Sequence, residues 1–491
     1  MQFTRRAASL AALAAVVSVA GCKPVGPDYT RPQVTAPAAY SESGGADVHE
    51  PPPNPTGGAW QPASPSDGML RGAWWTVYND PALDRLEALV TPNNQNLRAA
   101  MQLYLAAHDA VTAARAQLYP TLSAGPSVSH SKLSANRPLS TSTTSVNYND
   151  LVLSGQASWE PDFWGRIRRT VEAASANAQA TAADAATLDL AFHAELAQDY
   201  FELRGLDAQS SLLQSTVTDY ENQLDLTQKL LANGIGTDVD VAQARTQLQT
   251  LRAQLIDINQ ARAQYRHAIA TLVNLEAGQL TLPPAPLSGN PPQIPLGVPS
   301  QLIQRRPDVA AAERRVAAAN AQIGIAVSAF YPDITLGGAG GFESTHGGTW
   351  IQGPSSLWSL GAQATELLFD AGQRRALSSQ ARHLYEAQAA TYKATVLAAF
   401  NEVEDRLSDL RVLEQESAAE RLAVADAQHS LALSNQRYQG GVASYLEVLT
   451  AEGTLLQNQR TLADLETRRF AASVGLVRAL GGGWDVTQLP K

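Results

Sequence analysis

The chain of 491 residues carries 46 acidic against 36 basic side chains, a formal net charge of −10 with no basic patch, which excludes a nucleic-acid partner. Its single cysteine excludes an internal disulfide. Eight scattered histidines show no metal-ligand spacing.

The N-terminus reads as an export signal. Arg5 and Arg6 precede an apolar run, Leu10 to Ala20, too short to span a bilayer. It ends in Val19-Ala20-Gly21-Cys22, the lipobox pattern of bacterial lipoproteins, so residues 1–21 form the signal peptide and Cys22 the acyl acceptor. Lys23 stands where an aspartate would signal inner-membrane retention. Residues 22–70, rich in Pro, Gly, Ser and Ala without periodicity, read as a lipid-anchored extended linker.

A helical pattern runs from Ala82 to about Gln117, and Tyr119-Pro120 closes it. Residues 121–130 alternate polar and apolar, as do 151–160, where Leu151, Leu153, Gly155, Ala157 and Trp159 oppose Val152, Ser154, Gln156 and Ser158. The Ser/Thr/Asn-rich residues 131–150 between them read as an exposed loop. From about Gly165 to Leu231 there is no proline and one internal glycine, Gly205, giving roughly 67 helical residues or about 100 Å. Asn233-Gly234-Ile235-Gly236 breaks the helix, a second runs from Val239 to Asn274, and a Pro-rich joint fills 283–299.

The chain then repeats. Tyr119-Pro120 returns as Tyr331-Pro332, and Gly165 and Arg168 as Gly372 and Arg375. The latter offset holds without a gap: Glu195, Leu203 and Arg204 match Glu402, Leu410 and Arg411, and Gly234 to Val241 match Gly441 to Val448. The strand faces recur as Ile334 and Leu336, then Trp358, Leu360, Ala362 and Ala364. The units are therefore a first repeat over 71–282, the joint, a second repeat over 300–482, and a tail over 483–491. Each strand is long enough for a tilted membrane strand. Four strands cannot close a barrel alone, and open edges cannot face lipid, so several copies must share one; a trimer supplies twelve strands and a lumen.

No phosphate-binding glycine loop or nucleophile motif marks an enzyme, and no cofactor is implied. Trp74 and Trp75 read as packing residues, Arg305, Arg306 and Asp308 as helix caps. Trp159, Trp164, Trp350 and Trp358 lie near strand ends, where aromatic girdles belong.

Several ordered motifs carry a family resemblance: Val25-Gly26-Pro27-Asp28-Tyr29, Trp74-Trp75, Tyr78-Asn79-Asp80-Pro81-Ala82-Leu83, Arg305-Arg306-Pro307-Asp308-Val309, and Phe330-Tyr331-Pro332. Together they resemble the TolC-like outer-membrane factors, in particular the lipoprotein (NodT-like) branch serving resistance-nodulation-division pumps. The resemblance spans nearly the whole chain after the signal. It implies a mainly α trimer: a long helical barrel continuous with a 12-stranded outer-membrane β-barrel, four strands per chain. It implies a passive exit duct for drugs or other small toxic compounds, fed by an inner-membrane pump through a periplasmic adaptor. The two glycine turns become periplasmic tips, with Gly234, Gly236, Gly440, Gly441, Val442 and Ser444 against the adaptor. Asp240 and Glu447, with Asp238 beside them, match the acidic gate. Rings of such acids would bind cations and repel anions; an acid in a helix's first turn is also favoured by the helix dipole alone. Thr450 stands where the family often has a further acid. Protein secretion with an ABC transporter, or a structural periplasmic lipoprotein without a pore, are the competing roles.

Overall fold

A computed structural model describes residues 23–37, 39–42, 72–136, 138, 145–287, 289–294, 296 and 303–490. The signal peptide, Cys22, most of the linker and part of the Pro-rich joint lie outside the described residues. The elements are α1 (Pro81–Asn93), α2 (Gln95–Ala116), β1 (Thr121–Leu133), β2 (Val146–Trp159), α3 (Arg166–Ala232), α4 (Asp238–Leu272), α5 (Pro307–Ser328), β3 (Asp333–Ser344), β4 (Ser356–Thr365), α6 (Gln373–Gln439) and α7 (Tyr445–Ala479). Among the described residues no helix is long and apolar enough to cross a membrane.

The internal repeat is visible in these bounds. Helices α3 and α6 each have 67 residues, and α4 and α7 each have 35. With no proline inside either 67-residue helix, nothing interrupts the backbone ladder. The first helical stretch, by contrast, is two helices. Pro92 sits near the end of α1, Asn94 leaves helical geometry, and its Oδ1 accepts from the amides of Asn96 and Leu97, capping α2. Unbroken apolar spacing across the joint hides this break from the sequence.

The chain folds as two compact units. One comprises the described residues up to Pro32, Tyr104–Thr181 and Ala312–Tyr392 and holds a four-stranded antiparallel sheet in the order β1-β2-β3-β4, so β1 and β4 are its edges. The β1–β2 hairpin runs further than the alternation suggests: Leu133 pairs with Val146 and Ser131 with Tyr148, so much of the polar stretch read as loop is strand. Backbone pairing needs no apolar side chains, and a ribbon wet on both faces shows no alternation. Helix α5 packs Ala317 and Ala318 against Ala176 of α3.

A strap, residues 23–30, docks in this unit. Arg169, buried on α3, donates to the carbonyls of Val25 and Gly26 and to Asp28. Asn320 donates to the Pro27 carbonyl, and Tyr29 donates to Glu313. Gly26 has φ +91, and a Cβ there would stand 2.5 Å from the Gly324 Cα, so only glycine fits this approach.

The second unit comprises Gln33–Leu103, Ala182–Ala311 and Lys393–Lys491. Its core includes the α3–α4 seam: Leu213, Val217 and Tyr220 against Leu248, Leu251 and Ile258. Leu413 of α6 packs on Leu465 and Ala472 of α7. Gly205 lets α3 and α7 touch, its missing Cβ replaced by the Thr467 side chain. Buried Asp207 accepts from Arg204 and Arg262 and from the Ala285 amide, fixing the start of the Pro-rich joint. Arg306 does more than cap a helix: it bonds Asp308, Glu402 and the Ala479 carbonyl. Trp74 is buried as expected of a packing residue, and Trp484 joins Ala183, Ala310 and Ala311.

Candidate functional site

Two features make up the candidate site: the faces of the sheet, and the turns that join α3 to α4 and α6 to α7. Paired residues of an antiparallel sheet share a face. One face combines Thr121 and Ser123 of β1, Ser158 and Gln156 of β2, Gly337 and Ala339 of β3, and Gly361 and Ser359 of β4. It is small, polar and uncharged over this span. The other face gathers Leu122 and Val128, Leu153 and Leu151, Leu336 and Phe342, and Leu360 and Trp358. Leu122, Leu360 and Trp358 are 81%, 81% and 79% exposed. A face that is apolar and largely exposed over this span, on a sheet with two open edges, is stable only against lipid and further strands.

At one end of the sheet, aromatic side chains anchor the strand ends to backbone. Trp159 Nε1 donates to the Leu118 carbonyl, and Trp164 Nε1 donates to that of Pro332. Trp164 also stacks on Tyr331 at 4.8 Å.

The two turns are copies of one design. After α3, Gly234 adopts φ +76 and the amides of Ile235 and Gly236 close on the Leu230 carbonyl at 2.9 and 3.1 Å. After α6, Gly441 adopts φ +72 and the Val442 amide closes on the Arg437 carbonyl at 3.0 Å. Gly234 and Gly441 thus satisfy the orphaned carbonyls at the helix ends in left-handed geometry. Gly236 and Gly440 do not use positive φ; a Cβ on Gly236 would sit 3.1 Å from the Leu231 amide. Ile235 and Val442 project into solvent, as do Val239 and Leu446 just past the turns.

The acids differ in what holds them. Asp240 is the third residue of α4 and forms a capping box: its carboxylate accepts from the Thr237 amide and hydroxyl at 3.0 and 2.7 Å, while its own amide donates to Thr237 Oγ1. Asp238 is exposed in the same first turn. Glu447 occupies the matching place in α7, where Ser444 makes no side-chain cap. Arg437 reaches across the turn to Glu447 at 2.7 Å, a partner that residue spacing did not signal. Within the second turn Tyr438 packs on Tyr445 at 5.6 Å. The first turn is close by: burial, with the Asp240 charge adding to it, pushes the Tyr438 phenol up. Ala244, Tyr445, Val448 and Leu449 form the core beneath.

Among the described residues, no cluster of His, Cys, Asp or Glu could hold a metal ion. Cys22, the expected acyl acceptor, lies outside the described residues.

The fold and these surfaces define an outer-membrane channel. The profile of the outer membrane efflux protein family matches residues 88–275 and 298–482. The chain belongs to that family and is an outer-membrane efflux channel. The toluene efflux pump outer membrane protein TtgF of Pseudomonas putida is 30% identical over 477 residues, 96% of each chain. The pyoverdine export outer membrane protein OpmQ of Pseudomonas aeruginosa is 30% identical over 86% of this chain and 90% of its own. The solved structure of the outer-membrane channel OprN is 28% identical with a TM-score of 0.83, covering 94% of this chain and 99% of its own. The family and these relatives are efflux channels rather than enzymes.

Proposed function

We propose that three copies close one 12-stranded barrel and that the trimer is the exit duct of a tripartite pump. An inner-membrane resistance-nodulation-division transporter and a periplasmic adaptor would feed it, and Cys22 would carry the acyl anchor. The observation that carries this reading is the sheet itself: two open edges, one apolar exposed face and one small polar face. Three copies remove every edge and turn the polar faces inward.

The adaptor would meet the turns at Gly234, Gly236, Gly440, Gly441, Val442 and Ser444, where Ile235 and Val442 offer exposed apolar contacts. Asp240 and Glu447, with Asp238 beside them, would ring the constriction. Of these, Glu447 is the acid that a pore cation can reclaim from its exposed partner Arg437, because an exposed ion pair is worth only about 0–1 kcal/mol. Cargo is not written in the duct: relatives of similar identity are named for toluene and for pyoverdine, and small toxic compounds as a class fit a small, polar wall that carries only a few acids, Asp150, Asp333 and Glu343.

The test is planar-bilayer conductance of the purified channel. Glu447→Ala should raise single-channel conductance or abolish block by trivalent cations. Unchanged conductance and block would remove Glu447 from the gate, and a purified protein that stays monomeric would end the barrel reading.

A further inference from the structure

Helix α1 carries a polar stripe, Asp80, Asp84, Glu87 and Thr91, at helical spacing along one face. Three of the four reach α3. The Tyr200 hydroxyl donates to Asp80 Oδ2 at 2.5 Å. Glu87 Oε2 lies 2.5 Å from His193 Nδ1. Thr91 Oγ1 lies 2.9 Å from His193 Nε2 and 3.0 Å from Asp189 Oδ1. The Glu87 side chain is 0% exposed and that of His193 is 5% exposed, under Trp75 stacked at 4.5 Å. Glu87 Oε1 and Asp84 Oδ1 are buried without hydrogen-bond partners.

Counting protons along this chain gives the inference. The contacts Glu87–His193, His193–Thr91 and Thr91–Asp189 each need one hydrogen. A threonine hydroxyl and a neutral imidazole supply two. Thr91 donates to Asp189, so His193 Nε2 must donate to Thr91. The close Nδ1 to Oε2 contact then has no hydrogen of its own. We propose that Glu87 and His193 hold one further proton between them, so that acidification does not loosen the α1–α3 seam as it would loosen one built on a neutral buried imidazole.

When that proton leaves, the imidazole must turn its hydrogen to Nδ1, and Thr91 must swing its own from Asp189 to Nε2, so one of the three contacts is lost. The charged groups facing the pair do not replace the proton. Asp84 from α1 and Asp189 from α3 are both acidic; the turn at Trp74–Tyr78 presents Trp75, and Trp484 and Gln488 lie on the cavity side of His193. Burial pushes the Glu87 carboxyl up to about 7, the direction the count requires. The gain from this proton is lost as pH rises through 7, and it stops growing below about 6.5, where an imidazole freed by opening takes up a proton of its own.

The experiment is amide hydrogen exchange of residues 81–93 in the full-length channel in detergent, from pH 5 to 8, divided by the intrinsic exchange rate. One proton bound near 7 in the closed seam, against one taken near 6.5 by the freed imidazole of the open form, makes the opening equilibrium of α1 fall by only about twofold from pH 8 to 6 and then stay level. Glu87→Gln supplies the hydrogen from its amide and leaves the closed imidazole neutral, so its opening should instead rise by up to about tenfold for each pH unit below 6.5. Thr91→Val, at an exposed position, breaks the chain of contacts so that a neutral imidazole suffices, and should show the same rise. A wild-type profile that rises on acidification overturns the proposal, and so does a Thr91→Val profile as level as wild type. The second outcome would mean that burial of Glu87 alone, without the relay, binds the proton, and it is readable even if Glu87→Gln fails to fold.

Discussion

Gly205→Ala tests how closely the long helices must approach. A Cβ at 205 would stand 2.1, 2.7 and 2.9 Å from Thr467 Oγ1, Cγ2 and Cβ. Turning the threonine side chain cannot clear the last of these, and Thr467 is buried with its hydroxyl tied to the Ala463 carbonyl. The backbones of α3 and α7 must therefore part. Overpacking of this kind costs about 1–3 kcal/mol. Alanine in a helix interior returns about 1 kcal/mol over glycine. The net expectation is a loss of about 1 kcal/mol, far smaller than a cavity mutation in the same seam. The discriminating measurement is a double-mutant cycle read by helical circular dichroism as guanidinium is raised. In a Thr467→Ala background two of the three clashes vanish and only the 2.9 Å approach to Cβ remains, so the cost of Gly205→Ala should shrink, a coupling of about 1 kcal/mol. An equal cost in both backgrounds would show that the glycine serves something other than this contact.

In the turn between α6 and α7, Gly441→Ala forces a Cβ into left-handed geometry at a cost of about 1–2 kcal/mol, whereas Gly440→Ala should lie within about 0.5 kcal/mol; equal shifts in unfolding midpoint would refute the assignment of roles. Arg169→Ala strands the Val25 and Gly26 carbonyls and Asp28, at a cost of about 1–3 kcal/mol for the lost charge-assisted bonds. Limited proteolysis should then cut within residues 23–30 faster than in wild type, and unchanged protection would mean the strap is held elsewhere. Burial, with the Asp219 charge adding to it, pushes Glu452 up to about 7, above its unfolded value of 4.5. Its contribution is therefore full below about 4.5 and lost as pH rises through 7; Glu452→Gln should flatten the fall in stability between pH 5 and 7, and an unchanged slope would assign that fall to other groups.

Much of the fold was legible because it rests on periodicity. Strand faces such as Leu151, Leu153 and Leu360 alternate with polar neighbours because lipid and water demand opposite chemistry on opposite faces. The outer hairpin beyond Ser129 escaped notice for the same reason in reverse: with no apolar face, a ribbon leaves no mark. In the two turns, Gly234 and Gly441 were recognisable as turn residues, but not that Gly236 and Gly440 keep negative-φ or extended geometry. Nor did the sequence reveal Arg437, whose partnership with Glu447 follows from the turn doubling the chain back.

The sequence alone settled what depends on local spacing: two repeats, helices without breakers, four membrane-length strands, and turns where glycine permits reversal. Only the tertiary structure decided which faces meet. Glu87 and His193, Gly26 and Gly324, and Gly205 and Thr467 are each far apart along the chain. Periodicity says that a face is buried but not against what. The choice of partner belongs to the packing of whole helices, where each contact is fixed by its neighbours rather than by its own residues.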